Sequence, residues 1–372
     1  MSKKRLVALM NSYTQGVSGG DLCFIEIAGR LDNYHLTIVT SQLGMILCKE
    51  RIPEAEYILT TREQQFENAV LTYLKRTIKA LSALLPSVKA DALYVSSDFF
   101  PDVIPALFLK LLHKDIKWIQ KTFHIIPARR IIPYYAQKLS LCIVKRWADL
   151  IIVDNSLLKQ QLMQRGFDQS KLQVSPPGIS YDYIKSLAEP DKKCYEGIFM
   201  GRFHPSKGLL ELIDIWKIVC KKSPRARLAI IGSGDTKLKY KMEERIKQEH
   251  LEKNILLLGY LDKEQAFSLI KSGRIFLFPS HEEGFGIAIA EAMACGLPVV
   301  AWDLPSYHVN FDGGIIMVPE GEHALMARTV LRVLNDREEY TRLRNRAEEI
   351  SQNFDWEKAA DRELSLIDEL WQ

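Results

Sequence analysis

One run, Ser280-His-Glu-Glu-Gly-Phe-Gly-Ile-Ala-Ile-Ala-Glu-Ala-Met-Ala-Cys-Gly-Leu-Pro-Val-Val300, constrains the fold of this chain more than any other. It follows Ile275-Phe-Leu-Phe278, a short apolar stretch closed by Pro279 that reads as a buried strand. Gly296 and Pro298 stop the helix-forming segment, and Val299-Val-Ala-Trp302 starts another strand. This is a strand–loop–helix–strand unit of a parallel sheet. Such units offer ligands the C-terminal ends of strands and the free N–H groups of a helix start, here the amides of Phe285, Gly286 and Ile287. Glu283 and Glu291 stand eight residues apart, a little over two helical turns. Glu291 sits among Ala288, Ala290, Ala292 and Ala294, where an unpaired buried carboxylate is costly, so a pair of ligand hydroxyls is its expected partner.

A chain of 372 residues exceeds the usual size of a single core, so two domains are expected. The first half alternates short apolar runs (5–10, 35–40, 92–95, 117–120, 150–153) with helix-length stretches, which predicts a doubly wound parallel sheet. Pro176-Pro-Gly178 breaks the periodicity and places the interdomain linker near 176–192. The second half repeats the pattern, with strands expected near 195–200, 226–231, 254–258, 275–278 and 298–301. The reading is an α/β chain of two Rossmann-like doubly wound domains facing a cleft, residues 1–178 and 190–354. An amphipathic helix from about 355 to 372, with Asp355 as its N-cap, closes the chain.

The six cysteines (Cys23, Cys48, Cys142, Cys194, Cys220, Cys295) are widely spaced without a Cys-x-x-Cys pair, and they read as buried reduced thiols rather than a disulfide or zinc framework. The apolar run after Met1-Ser-Lys-Lys-Arg5 is too short for a signal peptide, and no segment is apolar enough to span a bilayer, so a cytoplasmic protein is expected. The net charge of +4 hides an asymmetry. Residues 71–146 hold 13 basic against 4 acidic side chains, a net of +9. No helix-turn-helix, zinc-finger or RNA-recognition signature accompanies this excess, which excludes the usual nucleic-acid readers and leaves an anionic membrane surface or a phosphate-bearing acceptor as the candidate partner. Lys75, Arg76 and Lys79 on a helix over 69–85, together with Arg129 and Arg130, are the expected basic face.

The Glu283-to-Glu291 segment resembles the Glu-x7-Glu motif of the retaining, family-4 nucleotide-sugar glycosyltransferases, which have the two-domain GT-B fold. Gly197-Ile-Phe-Met-Gly-Arg-Phe-His-Pro-Ser-Lys-Gly-Leu-Leu-Glu211 resembles that family's Gly-Arg…Lys-Gly phosphate segment, and Ala229-Ile-Ile-Gly-Ser-Gly234 and Leu256-Leu-Leu-Gly-Tyr260 resemble its strand-end glycine turns. The likeness is close from about residue 195 to Val318 and looser in the first half, where Gly19-Gly20, His124 and Pro177-Gly178 carry it.

The resemblance implies transfer of a hexosyl-type sugar, with retention, from a nucleotide diphosphate to a glycan, lipid-linked or small hydroxyl acceptor. It implies that Glu291 meets the ribose hydroxyls and that Glu283 lies nearer the donor sugar and phosphates. Gly259-Tyr260 and Gly234 then adjoin the nucleobase, Gly19 and Gly20 the diphosphate and acceptor, and His124 the sugar's hydroxymethyl group; Ile125 replaces the Asp that often follows this His in the family. The final helix is expected to cross back onto the first domain. No cofactor is expected. Cleavage of a sugar diphosphate needs stabilisation of the departing phosphate, and the chain has no Asp-x-Asp triplet to hold a metal for that task. Arg202 and Lys207 are the cations placed to do it, a fork and a point charge, with Gly201 and Gly208 letting backbone approach.

Three alternatives remain from the sequence. A GT-B epimerase or sugar phosphorylase shares the cleft; a non-catalytic nucleotide-sugar-binding subunit shares the fold. A dinucleotide oxidoreductase wants a third glycine that Gly232-Ser-Gly234 lacks.

Overall fold

The computed structural model describes residues 3–12, 17–62, 69–84 and 89–371. The chain divides into two units, Met1–Pro177 with Trp356–Gln372, and Gly178–Asp355.

The first unit runs β1 (Lys4–Met10), α1 (Gly19–Ala28), β2 (Tyr34–Thr40), α2 (Gln42–Lys49), β3 (Glu56–Leu59), α3 (Ala69–Leu84) and β4 (Ala92–Val95). It continues through α4 (Phe100–Leu112), β5 (Lys117–Thr122), α5 (Ile131–Trp147), β6 (Leu150–Val153), α6 (Ser156–Gln164) and β7 (Leu172–Val174). The second unit opens with α7 (Tyr181–Ser186), β8 (Tyr195–Met200), α8 (Leu209–Lys222), β9 (Leu228–Ile231), α9 (Thr236–Gln248), β10 (Ile255–Gly259) and α10 (Lys263–Lys271). There follow β11 (Gly273–Phe278), α11 (Ile287–Ala294), β12 (Val299–Trp302), α12 (Pro305–Asn310), β13 (Ile316–Val318), α13 (His323–Asn335) and α14 (Arg337–Ser351). The last helix, α15 (Trp356–Asp368), belongs to the first unit.

Both sheets are parallel throughout, in the order β3-β2-β1-β4-β5-β6-β7 and β10-β9-β8-β11-β12-β13. Their inner strands are short, and several are rich in Val, Ile, Leu and Ala. Every residue of β4, β6, β9 and β12 is buried, as expected for strands covered by helices on both faces. The runs read from the sequence are these inner strands plus β10. Three edge strands, β3, β7 and β13, escape such a reading, because they have only three or four residues and are partly exposed on their outer flank.

Two expectations need correction here. The unit boundary falls within the expected linker, directly after Pro177, but 176–192 is not a free connection: α7 occupies Tyr181–Ser186, and Ile179 and Ile184 are fully buried in the second core. Of the six free cysteines only Cys23, Cys48 and Cys295 are buried, while Cys142 and Cys194 are exposed, since each of those two lies on the solvent side of its segment.

The last helix is tied into the first unit by charge as well as packing. It lies against α1. Glu363 is buried and takes a bond from Lys121 Nζ at 2.5 Å and from Tyr94 Oη at 2.8 Å. At its two ends Glu357 pairs with Arg30 and Asp368 accepts from Tyr34 Oη at 2.6 Å.

Candidate functional site

In each sheet the strand order reverses once, between β1 and β4 and between β8 and β11. Connections leaving two such neighbours run to opposite faces, and the crevice opened between them is where doubly wound sheets bind ligands. In the second unit the residues beyond β8 are 201–208 and those beyond β11 are 279–286, the two segments the sequence singled out.

These two segments touch. Pro205–Lys207 forms one 3-10 turn, with the His204 ring accepting from Ser206 N, and α8 begins only at Leu209. Gly208 between them has φ +64°, and a Cβ there would stand 2.0 Å from the carbonyl oxygen of Pro279. Only glycine permits both that dihedral and that approach. The contact continues with His281 N donating to Ser206 O at 2.8 Å and Ser280 Oγ to the same carbonyl at 3.1 Å.

On this support Lys207 Nζ donates to Glu283 Oε1, which also accepts from Ser280 Oγ at 2.8 Å. Both charged side chains are largely shielded, 18% and 13% exposed, and the ammonium lies 5.3 Å from the centroid of the Phe278 ring. Arg202, half-buried on the loop after β8, makes no ion pair among the described residues. The site thus joins a neutralised Lys–Glu pair to an uncommitted guanidinium, the charge balance that an incoming anion requires.

Beyond Glu283 the chain enters α11 through Gly286, with no side-chain cap. The amides of the helix's first turn, Ile287 among them, therefore lack an intrahelical acceptor, as at any helix start. The approach to this helix is braced from α12: Ser306 Oγ donates to Glu283 O at 3.0 Å, and Asn310 Nδ2 to Phe285 O at 3.0 Å and Gly284 O at 3.3 Å. Sequence reasoning missed Ser280, Ser306 and Asn310. Their signal is a bond to a backbone or carboxylate far along the chain, which no local pattern displays. Glu291 is half-buried on α11 and partnered, so it is not the unpaired interior carboxylate its alanine neighbours imply; a helix presents successive residues to different sides.

The glycine turns at the ends of β8, β9 and β10 are bonded into one strip. Gly201 N donates to Ile231 O, Gly232 N to Gly259 O, and Phe203 pairs with Gly234. Gly201, Gly234 and Gly259 thus share the edge that carries Arg202 and Lys207. Tyr260, next along, is 77% exposed.

In the first unit Gly19 and Gly20 open α1 behind a Ser18–Asp21 capping box; Gly16 lies outside the described residues. A Cβ at Gly20 would stand 2.9 Å from the Phe123 ring, so the helix start packs directly on the residue before His124. His124 is half-buried, and Gln137 holds its loop by donating to His124 O and accepting from Ile126 N, both at 2.8 Å. Gln137 also donates to Asp98, whose carboxyl burial pushes up to about 6. At this sheet's own reversal point Asp102 accepts from Asn11 N and Ser97 Oγ, and burial pushes it up to about 7. Neither carboxylate was anticipated, since Ser96-Ser-Asp-Phe-Phe-Pro-Asp102 matches no local motif that marks a site. The structure gathers Gly19, Gly20 and His124 in the first unit, and Gly201, Arg202, Lys207, Gly234, Gly259, Tyr260, Glu283, Phe285, Gly286, Ile287 and Glu291 in the second. Among the described residues no three His, Cys, Asp or Glu side chains converge in a group that could hold a metal ion.

Two parallel Rossmann-like sheets of this order define the GT-B fold. The structure of Anabaena HepE in complex with UDP-glucose superposes with a TM-score of 0.80 over 98% of this chain and all of that one (100%), at 16% identity. Residues 183–350 match the family described as glycosyl transferases group 1, so this part of the chain is similar to that family. An uncharacterized glycosyltransferase of Methanocaldococcus jannaschii is 31% identical over 250 residues, 62% of this chain and 59% of the relative. Mannosylfructose-phosphate synthase of Agrobacterium fabrum is 25% identical over 253 residues, 61% of this chain and 54% of the relative. The matched part thus spans little more than half the length of these relatives.

Proposed function

We propose that this protein transfers a hexosyl-type sugar from a nucleotide diphosphate to a hydroxyl acceptor, with retention of the anomeric configuration and without a metal. The observation that carries this reading is the Lys207–Glu283 pair at the β8/β11 reversal point, with Arg202 beside it on the same loop. Arg202 forks the diphosphate oxygens, and Lys207, held in place by Glu283, shares its remaining N–H groups with them. The first-turn amides of α11 add partial positive charge where the leaving phosphate gains negative charge. Glu291 accepts from the ribose hydroxyls.

With no side chain among the described residues taken as a nucleophile, the departing phosphate takes the acceptor's proton on the face it leaves. The protein's contribution is position and positive charge. His124 and the Gly19–Gly20 helix start serve the sugar and acceptor side. The free cysteines support a reducing, cytoplasmic location. HepE's complex with UDP-glucose makes UDP-hexoses the first donors to try.

The test is a thermal-shift screen of nucleotide diphosphates and their sugars, then mass spectrometry of products on soluble and lipid-linked sugar acceptors in EDTA. The expected result is a transfer product whose proton NMR coupling matches the donor's anomer. An inverted product, or activity lost in EDTA and restored by manganese, would overturn the mechanism. Sugar interconversion with no acceptor present would mark an epimerase instead.

A further inference from the structure

Among the described residues of the second unit, two buried side-chain polar atoms find no hydrogen-bond partner, Trp216 Nε1 and Tyr307 Oη. Trp216 belongs to the core, its ring packed on Gly197 of β8. Tyr307 lies elsewhere, on α12, the helix that braces the approach to α11. It is fully buried, and a tyrosine taken out of water ordinarily keeps a partner for its hydroxyl, because burial removes the bonds that water supplied. An unsatisfied phenol beside a candidate site calls for an acceptor.

The stretch from Glu283 to Gly286 rests on α12. Ser306 Oγ, one residue before Tyr307, donates to Glu283 O at 3.0 Å, and Asn310 Nδ2, three residues after it, donates to Gly284 O and Phe285 O. The Tyr307 ring itself backs the helix start, since a Cβ at Gly286 would stand 3.3 Å from its Cε1. The phenol thus lies against the segment that carries Glu283. Burial pushes its ionisation well above the ordinary range, and the Glu283 carboxylate adds to the rise. On Glu283 itself both bonds, from Lys207 Nζ and from Ser280 Oγ, end on Oε1, and Oε2 accepts none from a described residue. In the ion pair the Lys207 ammonium balances this carboxylate. A diphosphate bound by the same ammonium divides that charge, and Glu283, only 13% exposed, is left less compensated in a place where unpaired charge is costly.

We propose that Tyr307 is a positioning residue of the donor site, its hydroxyl held in reserve for Glu283 and donating to that carboxylate as the diphosphate takes a share of the Lys207 ammonium. The new bond is charge-assisted and displaces no protein partner of the phenol, which has none to give up. It fixes Glu283 beside the donor sugar while Lys207 serves the phosphates. The two groups are not bonded in this structure, so the exchange requires one of the side chains to move. Its purpose rests on the transferase reading. The exchange itself needs no ligand, because removing the ammonium by mutation reproduces it.

The test is Tyr307→Phe, which removes the hydroxyl and keeps the ring, placed in three backgrounds of the full chain: the parent, Lys207→Ala and Lys207→Ala/Glu283→Gln. Thermal midpoints are measured without ligand. In the parent the substitution should leave the midpoint unchanged or raise it, since it deletes a buried hydroxyl with no protein partner. In Lys207→Ala, where Glu283 has lost its ammonium and takes the phenol, the same substitution should lower the midpoint by roughly 2–4 °C. With Glu283→Gln added that loss should shrink, because the charge that draws the phenol is gone. Isothermal titration of UDP supplies the bound state: Tyr307→Phe should weaken UDP by about three- to tenfold in the parent and leave its affinity unchanged in Lys207→Ala, where the bond exists before UDP arrives. An equal midpoint shift in all three backgrounds would overturn the proposal and make Tyr307 a core residue only. So would a parent whose UDP affinity ignores Tyr307→Phe. A parent that binds no nucleotide diphosphate would count against the donor reading, while the three midpoints still decide whether Tyr307 and Lys207 exchange on Glu283.

Discussion

Lys207 and Glu283 lie 76 residues apart in sequence and meet as an ion pair because β8 and β11 are neighbours in the second sheet. Their loops are locked by the Gly208–Pro279 approach, which holds the pair in place. Preorganised charge of this kind stabilises a developing anion without reorganising at the moment of reaction.

Lys207→Ala is expected to lower turnover by about 10²–10³-fold, the loss typical of one preorganised stabiliser. The thermal midpoint should change little, because Glu283 keeps its bond from Ser280 Oγ. Steady-state rates with calorimetry read both, and near-normal turnover would remove Lys207 from the phosphate site.

Glu291→Ala is expected to weaken binding of the nucleotide diphosphate by about 1.5–3 kcal/mol, the value of a hydrogen bond to a charged group. That is roughly ten- to a hundredfold in Kd. Glu291→Gln keeps the shape and should lose less. Isothermal titration decides it, and an unchanged affinity would make Glu291 a structural carboxylate.

The buried Lys121–Glu363 pair fastens α15 to the first unit. Glu363→Leu removes the carboxylate hydrogen-bonded to the Lys121 ammonium, leaving Asp154 to act on it only through space, and strips Tyr94 of its acceptor. A loss of about 3–5 kcal/mol in unfolding free energy is expected. Combining it with Lys121→Met should recover most of that loss, because two matched apolar side chains carry no desolvation cost. Urea titration of the two single variants and the double variant gives the coupling, and a double variant no better than the singles would refute the pairing as the cause.

Stability should fall as pH rises from about 4 to about 7. Burial, the largest cause, pushes Asp154 up to about 7 from its ordinary 3.8; Lys121 opposes the rise and Glu363 adds to it. Between those two values the native state holds a proton that the unfolded chain has released, so the unfolded state gains relative stability with each step upward. Asp98 and Asp102 act in the same direction, at about 6 and about 7. Asp154→Asn is always neutral and should flatten part of the slope; thermal midpoints between pH 4 and 8 measure it. A slope identical to the parent's would show that Asp154 ionises normally in the folded chain.

Much of the second unit is readable in the primary sequence because the relevant signals are local. Short apolar runs closed by glycine or proline mark β8 to β12, and Gly201-Arg202, Lys207-Gly208 and Glu283 to Glu291 lie within loops and one helix start whose chemistry their residue types declare. Edge strands β3 and β7 each mix a polar residue, Glu56 and Gln173, into a very short run, and β13, though apolar and closed by Pro319, has only three residues. Other facts belong to the tertiary structure alone. Lys75 and Arg76 are adjacent and alike in charge, yet one is exposed and the other buried on Asn11, because helix phase relative to the sheet decides which side faces the core. Sequence order likewise contains nothing that brings Glu363 to Lys121, 242 residues away, or Asn310 to Phe285. The chain itself determined which groups could do the chemistry. Strand order and side-chain burial decided which of them meet, because contact between distant residues is set by the packing of whole elements.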